Sequence, residues 1–428
     1  MRLDSSDPGF ADAFEALVSA RREPATDVAS GVAAILADVR ARGDAALHEL
    51  TLRFDRIDLD QAGWSVPREA RQAALQGLEP DLRAALELAA ERIRAYHAGQ
   101  KPEDRDETDA AGVRMGARWT AVESAGLYVP GGLASYPSSV LMNAIPAKVA
   151  GVDRLTMVTP TPDGRLNPLV LAAAEIAGVD EVWRAGGAQA IAALAYGTGR
   201  IRSVDVVVGP GNAWVAEAKR QLYGTVGIDM VAGPSEILVV ADGRNDPDWI
   251  AADLLSQAEH DATAQSILFT DDAAFADAVS AAVERQLAGL STENTARPSW
   301  ANFGAIVLFD DLARTPPYID RLAPEHLELA VDDPEAIFGH VRHAGSVFMG
   351  RHTPEAVGDY VGGPNHVLPT GRRARFSSGL SVTDFMKRTS FLACSPESLG
   401  KIGPAAVSLA QAEGLPAHAR SVAIRLGL

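Results

Sequence analysis

Residues able to carry acid–base or metal chemistry are spread unevenly along this 428-residue chain: of nine histidines, seven stand at or after residue 260. In DLLSQAEHD, Gln257 and His260 are three residues apart. On a helix that spacing puts both on one face, where an amide oxygen and an imidazole nitrogen can point at one ion. Asp261 follows but faces elsewhere. Glutamine is an uncommon ligand, so the pair alone also suits an ordinary helix surface. In APEHLEL, Glu325 and His326 stand side by side after Pro324 and offer two proton carriers with different resting pKa values. An acid beside a surface histidine fits as well, and Glu328 reads most simply as a solvated helix residue.

TPEAVGDYVGGPNHVLPTG is rich in Gly and Pro yet carries Glu355, Asp359 and His366. Glycine lets a backbone approach a ligand closely, and long ordered loops are often functional. Asp359 can ligate a metal, and His366 a metal or a substrate; an inert surface loop is the equal alternative. Glu413 and His418 lie in EGLPAHARS, otherwise a helix cap. Cys394, the single cysteine, has no neighbouring base in FLACSPES. It reads as a small buried residue rather than as the thiol nucleophile of an aldehyde oxidation.

Glycine turns fall mainly before residue 235. AGGAQA (Gly186, Gly187) and VVVGPGN (Gly209, Gly211) follow strands and open helices, where free N–H groups and the helix dipole favour an anion. Neither matches GxGxxG, so the usual dinucleotide fingerprint is absent. Gln189 and Asn212 are the polar side chains at these turns and otherwise helix caps. Tyr128 precedes Pro130, Gly131 and Gly132 in YVPGG, placed either to contact a cofactor or to pack on a sheet.

These residues need positioning elements. To about residue 125 the pattern is mostly helical: residues 28–50 and 81–100 space apolar residues by three and four, with Gly43 interrupting the first. His48 and His97 lie there and read as surface or packed histidines. From about 126, strands alternate with helices, which implies parallel sheets covered by helices. Two such stretches, near 126–235 and 236–375, look like similar halves; a tail from about 376 ends in a helix-like PAAVSLAQAEG. Acidic residues outnumber basic ones 56 to 39, a net charge of −17 that argues against nucleic-acid and membrane-surface partners. The basic run at Arg372, Arg373 and Arg375 reads as a solvated loop. One cysteine, no signal-like start and no membrane-length apolar run fit a reducing cytoplasm.

Taken together, AGLYVPGG, AGGAQAIAALAYG, VVVGPGN, AGPSEILV, DLLSQAEHD, APEHLEL, GDYVGGPNHVLPT and EGLPAHARSV, in this order, resemble the histidinol dehydrogenase family over nearly the whole chain. The resemblance implies an NAD-dependent, zinc-containing homodimer that oxidises L-histidinol through histidinal to L-histidine. It implies one zinc per subunit on Gln257, His260, Asp359 and His418, the last from the partner subunit. Substrate contacts would be Ser235, Gln257, His260, His326, Asp359, Glu413 and His418, with Glu355 and His366 in or beside the pocket. NAD contacts would be Tyr128, Gln189 and Asn212, and Glu325 with His326 the acid–base pair. The implied fold is α/β: two Rossmann-like domains of similar build, plus small helical N- and C-terminal extensions interlocking in a dimer. Residues 1–26 would be the first extension, 27–125 with 235–375 the zinc domain, 126–234 the NAD domain, and 376–428 the extension reaching the partner.

Two imidazoles, a carboxylate and an amide oxygen suit zinc. The competing readings are a related dehydrogenase of another small alcohol, a zinc hydrolase with Glu325 as base, and a non-catalytic binding module. The hydrolase leaves the glycine turns without a role.

Overall fold

The computed structural model describes residues 1–20, 28–131, 136–231 and 233–428; Gly132 of YVPGG, Ala232 of AGPSEILV and the 26/27 boundary lie outside them. Two parallel sheets organise the chain, as the alternating pattern predicts. The five-stranded sheet runs β6 (Glu181–Arg184), β5 (Arg154–Thr159), β4 (Ser124–Tyr128), β7 (Val206–Val208), β8 (Gly227–Ile228). The six-stranded sheet runs β1 (Arg2–Asp4), β11 (Ala305–Leu308), β10 (Gln265–Thr270), β9 (Glu236–Ala241), β12 (His326–Ala330), β13 (Ser346–Met349). All its pairings are parallel. The central strands are buried throughout, which is why they read as continuous apolar runs such as EILVVA. A third, antiparallel sheet joins β14 (Met386–Ala393), β3 (Arg114–Ala121) and β2 (Arg105–Thr108).

Three expectations change. Residues 1–20 are not simply a helical extension: β1 adds an edge strand to the six-stranded sheet, and the helix Phe10–Ser19 buries Phe10, Phe14, Leu17 and Val18 in that sheet's core. Three residues are too few to show a strand period. The helices expected to go with residues 235–375 instead cover the five-stranded sheet. Ala29–Arg42 and Asp44–Asp55 bury Val32, Leu36, Leu47 and Leu50 with the helix Gly187–Tyr196 on one face. Pro80–Ala98 buries Leu86 and Ile93 with Pro137–Ala150 on the other. An apolar stripe specifies that a helix is buried, not against which sheet. The tail is also not purely helical, since β14 precedes the helices Pro396–Ala412 and Pro416–Ala423.

Arg372 and Arg373 are not solvated. The Arg372 guanidinium donates to the carbonyls of Leu322 and Leu17 and to Gln265 Oε1, and Arg373 donates to the Val231 carbonyl. These bonds tie the segment after the Gly- and Pro-rich loop to the six-stranded sheet.

Candidate metal and acid–base site

The site residues gather at the N-terminal edge of the six-stranded sheet. Glu236 begins β9 directly after Ser235, Gln265 begins β10, and His326 opens β12 directly after Glu325. The helix Pro247–Ala258 runs toward this edge and stops there, because Asp261 turns the chain: its Oδ1 accepts from the Thr263 N–H at 2.8 Å and from the Thr263 hydroxyl. His260 therefore stands just beyond the helix rather than on it, although its N–H still reaches the Gln257 carbonyl at 3.2 Å.

His326 is the centre of the cluster. It is buried, and its Nδ1 lies 3.0 Å from Gln257 Oε1, 3.2 Å from the Glu236 carbonyl and 3.3 Å from Glu355 Oε1. Nδ1 facing only acceptors is best satisfied by carrying the proton, which leaves the lone pair on Nε2. Nε2 is buried without a hydrogen-bond partner, and burial lowers the ring's pKa, so the free nitrogen is a base. Glu325 Oε2 accepts from the Glu236 N–H at 3.1 Å. Burial, then the neighbouring Glu236 charge, hold the Glu325 carboxyl well above its ordinary pKa.

The Gly- and Pro-rich loop supplies the opposite wall. Glu355 and Asp359 open and nearly close the helix Glu355–Tyr360. Burial pushes Glu355 up to about 8; burial and the Glu355 charge push Asp359 up to about 7. His366 Nδ1 lies 3.8 Å from Asp359 Oδ1, and burial drives its pKa down to about 4. His260 is exposed and stands outside the cluster of His326, Glu355 and Asp359, although the protein around the ring, and then the charge of His326, lower its pKa. Ligand atoms of His326, Glu355 and Asp359 all lie within 4.8 Å of one another. Several carboxyls and imidazoles forced together out of water fit a cation. So do Gln257 Nε2 and His326 Nε2, both buried without a hydrogen-bond partner.

A clamp from the other half holds this loop. Asn365 donates to the Met142 carbonyl at 2.6 Å and touches His97 Nε2 at 3.3 Å, while Arg92 donates to the carbonyls of Val361 and Gly362. His97, expected to be surface or packed, is fully buried and supports the loop.

Tyr128, Gln189 and Asn212 meet in one cleft of about 390 Å³ at the C-terminal edge of the five-stranded sheet. Tyr128 Oη accepts from the Gly187 N–H at 3.2 Å, and burial lifts the phenol to about 12, so it stays neutral. Asn212 caps the helix Ala213–Leu222 through the N–H groups of Trp214 and Val215, at 3.1 and 3.2 Å. Gln189 is buried inside its helix and caps nothing. Gly209, at φ 112°, passes so close to the Tyr128 carbonyl that a Cβ would collide with it. A buried Lys219–Asp229 ion pair grips the same glycine: Lys219 Nζ donates to its carbonyl at 3.0 Å, and Asp229 Oδ2 accepts its N–H at 2.8 Å. Two helix N-termini thus open on a space suited to a phosphate-bearing ligand. The matching edge of the six-stranded sheet carries Asp242, Asp271, Asp272, Asp332 and Asp333, with Asp242 and Asp332 paired to Arg244 and Arg351.

With this geometry in hand, comparison with known proteins is decisive. The family model described as Histidinol dehydrogenase matches residues 19–426. The chain belongs to the histidinol dehydrogenase family. It is 65% identical over 426 residues to "Histidinol dehydrogenase" of Zymomonas mobilis, covering 100% of this chain and 99% of that protein. It is 64% identical to the Rhodospirillum rubrum protein of the same name, covering 100% and 98%. The crystal structure of histidinol dehydrogenase from Elizabethkingia anophelis superposes with a TM-score of 0.95 at 35% identity, covering 100% of this chain and 98% of that one.

Not every residue expected at the histidinol dehydrogenase site is brought there by one chain. Glu413 and His418 are exposed beside and on the helix Pro416–Ala423, and no cluster of ligating atoms among the described residues includes His418. Cys394, expected buried, is exposed: it follows β14, an edge strand paired with β3 among the described residues. Glu328, expected solvated, is buried on β12 and hydrogen-bonded to Asp253; burial raises both pKa values, that of Glu328 further through repulsion by Asp253. HLELA is short enough to read as helix or strand, and only the strand turns Glu328 inward. Asp253, Glu236 and Ser256, which donates to Glu355 Oε2 at 3.3 Å, lie within the quoted motifs DLLSQAEHD and AGPSEILV but were not singled out. A second cluster, His48, Asp58 and Asp60, is committed locally: Asp58 caps the helix Leu59–Ala62 and Asp60 accepts from the Trp64 indole.

Proposed function

We propose that this protein is an NAD-dependent, zinc-containing histidinol dehydrogenase, converting L-histidinol through histidinal to L-histidine at the end of histidine biosynthesis. The observation that carries the reading is the buried Glu325–His326 pair, with His326 Nε2 free, facing a wall of Asp359, Glu355 and Gln257. Zinc, held by Gln257, His260, Asp359 and His418 of a second copy of the chain, would fix the substrate by its imidazole and amine nitrogens. NAD, held at Tyr128, Gln189 and Asn212, would accept one hydride in each of two oxidations.

This chain's own groups do the rest. His326 Nε2 takes the hydroxyl proton as the carbinol C–H gives up its hydride, leaving the aldehyde. Glu325 then takes a proton from the water that attacks the aldehyde carbon while His326 returns its proton to the carbonyl oxygen, giving the hydrate and a neutral His326. His326 removes a hydrate O–H proton as the second hydride leaves, and the carboxylic acid results. No thiol is needed, consistent with Cys394 standing exposed on the tail. Ser235, Glu413 and His418 would complete substrate binding across a homodimer with shared sites. No helix among the described residues is long and apolar enough to cross a membrane, and a cytoplasmic location fits a biosynthetic enzyme with one cysteine.

The test is to supply zinc-loaded protein with L-histidinol and NAD. Histidine and NADH should form, chelation should abolish both, and zinc should restore them. Turnover of another small alcohol with none of histidinol would overturn the reading.

A further inference from the structure

The cleft that holds Tyr128, Gln189 and Asn212 has a wall that no motif pointed to. Asp55, the last residue of the helix Asp44–Asp55, lines it together with Phe54 and with Ile35 from the preceding helix. Asp55 is only 9% exposed. The Thr161 backbone N–H donates to its carboxylate, while Oδ2 is buried with no hydrogen-bond partner. The adjacent cation does not meet that need, because Arg56 is engaged by Asp163 through two bonds of 2.7 and 2.8 Å. A buried carboxylate oxygen without a donor is destabilising, and burial does raise the Asp55 pKa. Such an oxygen in a ligand cleft is satisfied when a ligand brings hydroxyl donors.

The two faces of the five-stranded sheet decide which part of a dinucleotide would bring them. Asp55 comes from the helices covering the Gly187–Tyr196 face. The loop with Asp359 and His366 is clamped from the opposite face, by Asn365 on Met142 and by Arg92 on Val361 and Gly362. A nicotinamide ring directed at His326 therefore leaves the adenosine half beside Asp55. An acidic side chain there accepts from the ribose hydroxyls and opposes a phosphate on them by charge and by bulk.

We propose that Asp55 is the specificity-determining residue for the cofactor: its carboxylate binds the adenosine ribose hydroxyls and excludes a 2′-phosphate, selecting NAD over NADP. This rests on the reading of the cleft as a dinucleotide site. Asp55→Asn keeps the side-chain shape and an oxygen for the Thr161 N–H but removes the charge. In the full zinc-loaded enzyme, the ratio of kcat/KM for NAD to that for NADP should fall by about tenfold or more, with the change in KM rather than kcat. A purely structural role would lower the melting temperature and leave that ratio alone, and an unchanged ratio overturns the proposal. A second measurement does not depend on the variant. Wild-type protein titrated with ADP-ribose and with 2′-phospho-ADP-ribose, followed by fluorescence of Trp214 in the cleft wall, should bind the first more tightly; equal affinities overturn the assignment. If neither ligand binds wild-type protein, the dinucleotide reading itself falls, and the Asp55 proposal with it.

Discussion

Replacing Glu325 by Gln separates the two oxidations. Glu325 Oε2 accepts from the Glu236 N–H at 3.1 Å, a bond the amide oxygen of glutamine can keep, so the side chain should hold its place. What disappears is the proton acceptor. The first oxidation relies on His326, whose Nε2 is untouched, and should stay within about threefold of wild type, since a conservative change outside the reacting pair costs little. The second needs water deprotonated at the aldehyde, and loss of a positioned general base costs about 10²–10⁴-fold, or roughly 3–5 kcal/mol in the barrier. The substitution also removes a carboxyl crowded by burial and by Glu236, so the melting temperature should not fall. Rapid-mixing kinetics with histidinol and with histidinal, read as NADH formation and with the aldehyde trapped, measures both steps. Histidinal should accumulate from histidinol. Equal losses on both substrates, or undiminished oxidation of histidinal, would refute the assignment of Glu325 to water.

Other consequences follow from the same geometry. Glu355 and Asp359 have folded pKa values raised to about 8 and about 7, so the protonated forms stabilise the metal-free fold at acid pH, and that stability is lost as pH rises through about 7 to 8. Melts of chelated protein should therefore drop from pH about 4 to about 8 and level off above, and zinc should flatten the slope; identical slopes with and without zinc would contradict this. Breaking the buried Lys219–Asp229 pair by Lys219→Met should cost about 3–5 kcal/mol in urea unfolding and raise the KM for NAD through the loosened Gly209 turn; unchanged stability would argue against the clamp. Chains carrying His418→Ala mixed with chains carrying His326→Ala should regain activity, because one of the two sites in each heterodimer is then intact. Confirmed heterodimers without activity would rule out a shared site.

Much of this was legible in the residues themselves. Glu325–His326 and Asp359 stand out because ionisable side chains sit in unusual company, beside proline or within a glycine-rich loop, and Gln257 stands out by its spacing from His260. Tyr128, Gln189 and Asn212 mark strand-to-helix turns and do share one cleft. The alternation of strands and helices specified parallel sheets. What stayed hidden depends on tertiary choice. The helices of residues 29–98 have ordinary apolar stripes, and only packing selects the five-stranded sheet. Glu328 and Glu236 look like surface acids until strand register turns them inward, and Asp253 until its helix packs beside Glu328. His97 gives no sign of the loop it supports 268 residues away. Glu413 and His418 were visible only through the family motif, and on a single chain they face outward.

In the proposed mechanism one site performs two oxidations, with His326 taking a proton in each and Glu325 activating the water between them. Product stoichiometry on zinc-loaded protein tests it most directly: L-histidinol should yield two NADH for each histidine formed, with no free histidinal. One NADH per substrate, with the aldehyde accumulating in the wild-type enzyme, would contradict it.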